Sequence, residues 1–122
     1  MNIIYHPTYK IGSTKWICIH HIGGLAGSPF ASTQHHTVNN INVSHQSRWP
    51  DFKSSLGYFV GYNFIITKDG TVTQCWEIGS ETAAQKGYNQ NGEAISICLA
   101  GNFTKGVDTP TKAQVSALRL LA

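Results

Sequence analysis

An apolar run that ends in two histidines and two glycines constrains the fold of this chain more than any other segment. It covers residues 16–24, with the sequence WICIHHIGG. Four consecutive apolar residues predict a strand over residues 16–22, buried on both faces. Neighbouring side chains on a strand point to opposite faces, so His20 and His21 cannot face the same cavity. The pattern alone therefore indicates one packed and one exposed histidine at a strand end.

Composition places the chain among single-domain globular proteins. It has 122 residues, of which 41% are hydrophobic and 12% charged, and a formal charge of +3. Disorder is excluded, because disordered chains combine low hydrophobicity with high net charge. Lys and Arg are scattered, so no nucleic-acid partner is predicted. No run reaches membrane-spanning length, and the pattern of the first ten residues does not predict a signal peptide.

The cysteines predict buried, reduced thiols. Cys18, Cys75 and Cys98 each lie in an apolar, strand-like run. None belongs to a C-x-x-C pair, which excludes a local cysteine-based zinc knuckle. An odd number of cysteines in core strands is typical of free thiols. One disulfide with a leftover thiol is the alternative.

The segment after the first strand predicts a helix followed by a hairpin. Thr37 is a candidate N-cap, and Pro50 ends the helix because the residue before a proline is driven out of the helical region. Four apolar or aromatic side chains fall at helical spacing on one face: Val38, Ile41, His45 and Trp49. Strands are then predicted over residues 58–67 and 71–76, joined by a Lys-Asp-Gly turn at residues 68–70.

The last third of the chain predicts a loop, a strand and a second helix. Residues 77–93 are polar and glycine-containing, and residues 94–100 are an apolar strand. Thr109 followed by Pro110 is a good helix start. Residues 1–15 are predicted as an extended lead-in. The order of elements predicts an α/β fold, a mixed central β-sheet flanked by helices, in a single domain.

Histidines are the most obvious candidates for chemistry. There are six, four of them in adjacent pairs: His6, His20, His21, His35, His36 and His45. A catalytic zinc needs three protein ligands, and no helical H-E-x-x-H pair is present. By residue type alone, His45 on the first helix is a packed core residue or lines a groove, and Tyr62 in the second strand is a core aromatic residue. The sequence lacks the G-x-S-x-G motif of a serine hydrolase, and no pair of acids is indicated as the two carboxylates of a glycosidase.

Taken in order, several segments resemble the type-2 N-acetylmuramoyl-L-alanine amidases. This family includes the peptidoglycan recognition proteins and the phage-lysozyme-type amidases. The matching segments are CIHHIGG, SHQSRW, VGYNFIITKDGTV, KGYNQN, ISICLAGNF and TPTKAQVSAL. They are collinear from about residue 16 to residue 121, and residues 61–72 are the most specific. The resemblance implies the amidase fold over nearly the whole chain.

The resemblance also implies a zinc hydrolase that cleaves the amide between the lactyl group of N-acetylmuramic acid and L-alanine. In the family pattern His20 is a zinc ligand, and Tyr62 reaches the zinc-bound water and the substrate carbonyl. His45, Asn63 and Asn89 correspond to residues of the substrate groove. Zinc would supply a hydroxide nucleophile at neutral pH, and a tyrosine hydroxyl can donate to the developing oxyanion.

The resemblance is incomplete at the metal site. The family pattern has a second histidine ligand and a third ligand, commonly a cysteine, after the last predicted helix, and residues up to Ala122 contain neither. An acid-base residue near the third ligand is missing as well. One histidine cannot hold a catalytic zinc. We therefore expect a zinc cofactor with only His20 present as a ligand and the others beyond Ala122.

Three interpretations follow from this incomplete site. The chain is the N-terminal part of a longer amidase that lacks its C-terminal part, a non-catalytic module that binds peptidoglycan, or a structural component of a phage particle with the same fold. The first is favoured, because His20 and Tyr62 are both present and the sequence stops within a predicted helix. The expected partner is peptidoglycan or a muropeptide, met at the cell wall after synthesis in the cytoplasm and release, as for a phage lysin.

Overall fold

The computed structural model of the chain describes residues 3–4, 16–78, 82 and 94–121. It shows one mixed β-sheet with helices packed on it. The elements are β1 (Ile3–Ile4), β2 (Trp16–His21), α1 (Val38–Arg48), β3 (Phe64–Ile66), β4 (Val72–Gln74), β5 (Ala94–Leu99) and α2 (Lys112–Leu121). The strand order is β1-β4-β3-β5-β2. β2 and β3 are both parallel to β5, whereas β4 is antiparallel to β3 and parallel to β1. This confirms the predicted α/β class.

Side-chain alternation along the strands divides the core into two clusters, one on each face of the sheet. The cluster under α2 contains Phe64, Ile66, Val72, Ile97, Leu99 and Ala117. The cluster under α1 contains Ile41, Val60, Ile65, Cys75 and Cys98. β5 contributes to both clusters, as expected for an apolar strand buried on both faces.

The strand that was predicted to be buried on both faces, β2, lies at the edge of the described sheet. It pairs with β5 alone among the described strands, and the side chains of Ile17 and Ile19 are 50% and 57% exposed. An apolar run therefore does not reveal whether a strand is central, because this depends on which elements cover it. The thiol of Cys18 on this strand is only half-buried, in contrast to the prediction, while Cys75 and Cys98 are buried and all three are free.

The hairpin is shorter than predicted because residues before β3 bond to α1 instead of to a neighbouring strand. The backbone N–H of Phe59 donates to Asn42 Oδ1 at 2.6 Å, and that of Gly61 donates to His45 Nδ1 at 2.8 Å. Only residues 64–66 and 72–74 form the ladder. The predicted turn is confirmed: Gly70 has φ +84°, and its N–H donates to Thr67 O at 2.8 Å.

The first helix begins as predicted. Thr37 is the N-cap, its side chain accepts from the backbone N–H of Asn40 at 3.2 Å, and its own N–H donates to Asn40 Oδ1 at 2.8 Å. This reciprocal capping box satisfies donors that the first turn leaves without intrahelical partners.

The second helix begins two residues later than predicted. Thr111 caps it, because Gln114 N donates to Thr111 Oγ1 at 3.1 Å and Thr111 N donates to Gln114 Oε1 at 3.0 Å. The residue three positions after Thr109 is Lys112, which has no acceptor to complete such a box. Gln114 is fully buried and also donates to Ile66 O and Ala100 O, which joins α2 to the sheet.

Some of the predicted features fall at or beyond the limits of the described residues. The lead-in contains β1, which the sequence did not predict as a strand. Most of the loop over residues 77–93, including Asn89, lies outside the described residues. Where the chain is described, neither helix has the length and apolar character needed to cross a bilayer.

Candidate functional site

Three of the predicted site residues meet on the α1 face of the sheet. The ring centroids of His20 and Tyr62 are 5.3 Å apart, and those of Tyr62 and His45 are 5.9 Å apart. The ring of Trp49, at the end of α1, stands edge-on to His45 at 5.1 Å. We call these four residues the aromatic cluster. The sequence placed them on three different elements, and the fold brings them into one row.

Strand register explains the position of His20. It lies opposite Cys98 of β5, which in turn lies opposite Ile65 of β3. Residues in register share a face, so the His20 ring is on the α1 side, where Tyr62 packs against the core cluster. His21 contacts the other side: it stacks on Phe103 at 5.7 Å, as the alternation of strand side chains predicts.

His45 is an uncharged hydrogen-bond donor at neutral pH. Its Nδ1 accepts from Gly61 N–H, so in the neutral ring the single proton lies on Nε2. Burial, together with the nearby Arg48 charge, lowers the pKa of His45 from 6.5 to about 4. The ring therefore keeps this tautomer throughout the neutral range.

Tyr62 is likewise held in its neutral form. Burial raises the pKa of its phenol well above 10, and the neighbouring Cys98 raises it further. The pKa of His20 is lowered, first by burial and then by the neighbouring His21. All three groups are thus electrically neutral near pH 7.

Asn63 does not line this cluster, which corrects the predicted groove position. Its side chain is fully buried, Nδ2 donates to Glu77 O at 3.0 Å, and Oδ1 accepts from Ser96 N at 2.8 Å. The amide therefore connects the approach to β3 with β5 and with the segment after β4. Strand alternation does not predict this arrangement, because it would place Tyr62 on the face of Phe64 and Ile66; the chain instead bends at residues 61–63, before β3 begins.

The described residues do not fit a complete zinc site. Where the chain is described, no three His, Cys, Asp or Glu side chains are grouped closely enough to hold a metal ion. Cys98 lies beside His20, but burial raises the pKa of its thiol to about 12, whereas zinc binds the thiolate. In the aromatic cluster His20 is the candidate ligand, because His45 already accepts from Gly61 N–H at Nδ1 and carries its proton on Nε2.

Sequence reasoning missed two neighbours of the site. Cys98 lies next to Tyr62. The resemblance included the apolar strand ISICLAG, which contains Cys98, but it did not say which side chains of that strand face the site. Trp49 was placed on the apolar side of α1 but without a role. A cavity of about 760 Å³ lies away from the aromatic cluster, between the first turn of α1, Tyr58 and the β3–β4 turn.

Known proteins resemble this chain in sequence and in fold. The endolysin of Escherichia phage T7 is 35% identical over 89 residues, which cover 67% of this chain and 54% of the endolysin. The chain spans about half the length of the curated relatives it matches.

Solved structures share the fold at low sequence identity. Peptidoglycan recognition protein SA of Apis mellifera is 21% identical, with a TM-score of 0.70, and the match covers 98% of this chain and 72% of that protein. The N-acetylmuramoyl-L-alanine amidase LysC of Clostridium intestinale is also 21% identical, with a TM-score of 0.63 over 99% of this chain and 72% of LysC.

A family model decides the assignment. The model described as N-acetylmuramoyl-L-alanine amidase matches residues 10–122, which include the whole aromatic cluster and both described helices. This range is most of the chain, and it agrees with the identity to the phage endolysin and with the shared fold. The chain therefore belongs to the N-acetylmuramoyl-L-alanine amidase family.

Proposed function

We propose that this chain takes part in the hydrolysis of peptidoglycan at the amide between the lactyl group of N-acetylmuramic acid and L-alanine. Family membership and the similarity to a phage endolysin support the reaction class. The observation that carries the proposal is the row of neutral polar rings, His20, Tyr62 and His45, within 6 Å of one another along the row. The cell wall is then the place of action.

The chemistry of an amide explains why such a row is useful. Attack of water on the carbonyl carbon places a negative charge on the carbonyl oxygen, and preorganised hydrogen-bond donors that keep their protons at neutral pH stabilise that charge. The Tyr62 O–H and the Nε2–H of His45 are two such donors. The lowered pKa of His20 keeps its ring uncharged near pH 7, which is the form that a metal ligand or a proton acceptor requires.

Zinc dependence, with His20 as a ligand, stays a prediction. The described residues supply one candidate ligand, and we assign no step to a metal. This incomplete ligand set favours a second candidate function, in which the chain binds peptidoglycan or a muropeptide without cleaving it.

The two functions are separated by measuring cleavage and binding on the same protein. Purified chain is incubated with insoluble peptidoglycan, new L-alanine amino termini are quantified, and bound protein is measured by co-sedimentation. Release that is lost in His20→Ala, but not in the exposed control His35→Ala, supports the amidase. Binding without release supports the binding module, and neither release nor binding contradicts both proposals.

A further inference from the structure

Two loops extend the pairing of β2 with β5 beyond the ends of these strands. They are residues 22–34, which follow β2, and residues 100–108, which follow β5. Ile22 N donates to Leu99 O at 3.3 Å, and Gly23 N donates to Gly101 O at 3.1 Å. The chain that carries His20 is therefore still paired three residues after that histidine.

The carboxylate of Asp108 joins the two loops. Its Oδ1 accepts from Ser32 Oγ at 2.6 Å, and its Oδ2 accepts from the backbone N–H groups of Thr33 at 3.1 Å and Asn102 at 2.8 Å. Hydrogen bonds to an ionised acceptor are about twice as strong as neutral ones. These bonds lower the pKa of Asp108, so the carboxylate is ionised at neutral pH.

The bonds of Asp108 continue to the strand end through buried groups. Thr33 is fully buried, and its Oγ1 donates to Gly23 O at 2.7 Å. Asn102 is also fully buried, and its Nδ2 donates to Pro29 O and to Ala31 O, both at 2.9 Å. The first loop is therefore fixed at Gly23 and on both sides of residue 30.

A second connection reaches the neighbour of His20. The backbone N–H of Phe103, next to Asn102, donates to His21 Nδ1 at 2.9 Å, and the two rings are stacked. Asp108 thus acts on the end of β2 from two directions, through Thr33 to Gly23 and through Asn102 and Phe103 to His21. His20 lies in the paired part of β2, directly before these two attachments.

We infer that Asp108 is a positioning residue for the aromatic cluster: its carboxylate holds the two loops together and thereby fixes the His20 ring against Tyr62. It touches neither ring. Asparagine in its place can keep the same partners, with Oδ1 accepting from the two backbone N–H groups and Nδ2 donating to Ser32 Oγ, but it removes the charge that strengthens these bonds, so the connection between the loops would loosen. The effect on catalysis rests on the proposed function, whereas the effect on His20 geometry does not.

The test compares Asp108→Asn with Asp69→Asn. Asp69 is a matched control, since its carboxylate also accepts from a threonine hydroxyl and a backbone N–H, those of Thr67 and Thr71, in the β3–β4 turn. The first readout is the NMR shift of the His20 ring protons, which sense the Tyr62 ring 5.3 Å away. We expect a shift in Asp108→Asn and none in Asp69→Asn, and amide exchange at Gly23 about tenfold faster only in the first.

Activity supplies a second readout, which a purely structural role would not change selectively. If the chain hydrolyses peptidoglycan, kcat of Asp108→Asn falls about tenfold while KM changes less than twofold, and Asp108→Glu recovers part of the loss.

Ser32→Ala, which removes one exposed bond, gives a smaller change of the His20 shift in the same direction even if Asp108→Asn does not fold. An unchanged His20 shift in folded Asp108→Asn, or in Ser32→Ala should Asp108→Asn not fold, overturns the inference. Absence of hydrolysis in the unmodified chain instead contradicts only the proposed amidase.

Discussion

The backbone N–H of Gly61 donates to Nδ1 of His45 over 2.8 Å, and this bond decides which ring nitrogen carries the proton. Because Nδ1 is the acceptor, Nε2 is the donor of the neutral ring. The same bond takes the Gly61 N–H away from the sheet, which is one reason why β3 begins only at Phe64. One contact therefore shortens the strand and prepares the donor.

Replacing His45 by asparagine or glutamine separates these two effects. Asparagine places an acceptor near the position of Nδ1 and so keeps the bond to Gly61, whereas glutamine reaches the position of Nε2 and leaves the buried Gly61 N–H without an acceptor. We expect His45→Gln to lower the free energy of unfolding by about 1–3 kcal/mol and His45→Asn by less. Urea unfolding measures both. If His45→Asn is the less stable, the bond is not the main contribution of the ring.

The depressed pKa of His45 predicts how stability depends on pH. Its pKa is about 4 in the folded chain and 6.5 in the unfolded chain, so between these values the unfolded state binds more protons. The stability that the neutral His45 ring contributes to the folded chain is fully present above pH 6.5 and is lost as the pH falls towards 4. Thermal unfolding from pH 7 to pH 4 should show a smaller decrease in Tm for His45→Asn than for the unmodified chain. Equal decreases would contradict the assigned shift.

Local patterns predicted the fold best where neighbouring residues determine the structure. The capping box at Thr37 and the turn before Gly70 depend on a few adjacent residues, and both were found where expected. The edge position of β2 was not predictable. Its apolar run, which includes Ile17 and Ile19, is typical of a buried strand, and the exposure of these two side chains depends on which elements pack against them. The shortened β3 likewise depends on side chains of α1.

Prediction of the site was limited in the same way. Alternation on β2 correctly separated His20 from His21. The proximity of Tyr62 and His45 could be inferred only from the family resemblance, because the two residues lie on different elements. For Asn63 the resemblance suggested the groove, but its burial and its bonds to Glu77 and Ser96 place it in the interior.

Removing the hydroxyl of Tyr62 tests its role as a donor. Tyr62→Phe keeps the ring contacts with His20 and His45 but removes the O–H that would stabilise an oxyanion, so we expect kcat to fall about 100-fold with KM nearly unchanged. Tyr58→Phe is the matched control, since Tyr58 packs against the same core cluster but lines the separate cavity. A loss that appears in KM alone would indicate a binding role for Tyr62 instead.

The corrected start of α2 can be tested with two threonines. Thr111→Ala removes the side-chain acceptor for Gln114 N and should lower the free energy of unfolding by about 1 kcal/mol. Thr109→Ala should have little effect, because the bond at Thr109 uses its backbone oxygen, which accepts from Gln34 Nε2. Chemical denaturation of the two variants decides between the positions. Equal destabilisation, or a larger effect at Thr109, would return the cap to the position predicted from sequence.

Gly70 tests the contact between the β3–β4 turn and α2. Gly70 and Gly57 have similar positive φ values, +84° and +90°, so alanine is strained at both. A Cβ at Gly70 would also lie 2.9 Å from the backbone oxygen of Ala113, whereas one at Gly57 would meet nothing within 4 Å. We expect Gly57→Ala to cost about 1 kcal/mol and Gly70→Ala measurably more, as determined by urea unfolding. The difference between the two reports the close approach of α2 to the turn, and equal costs would mean that α2 moves aside without loss of stability.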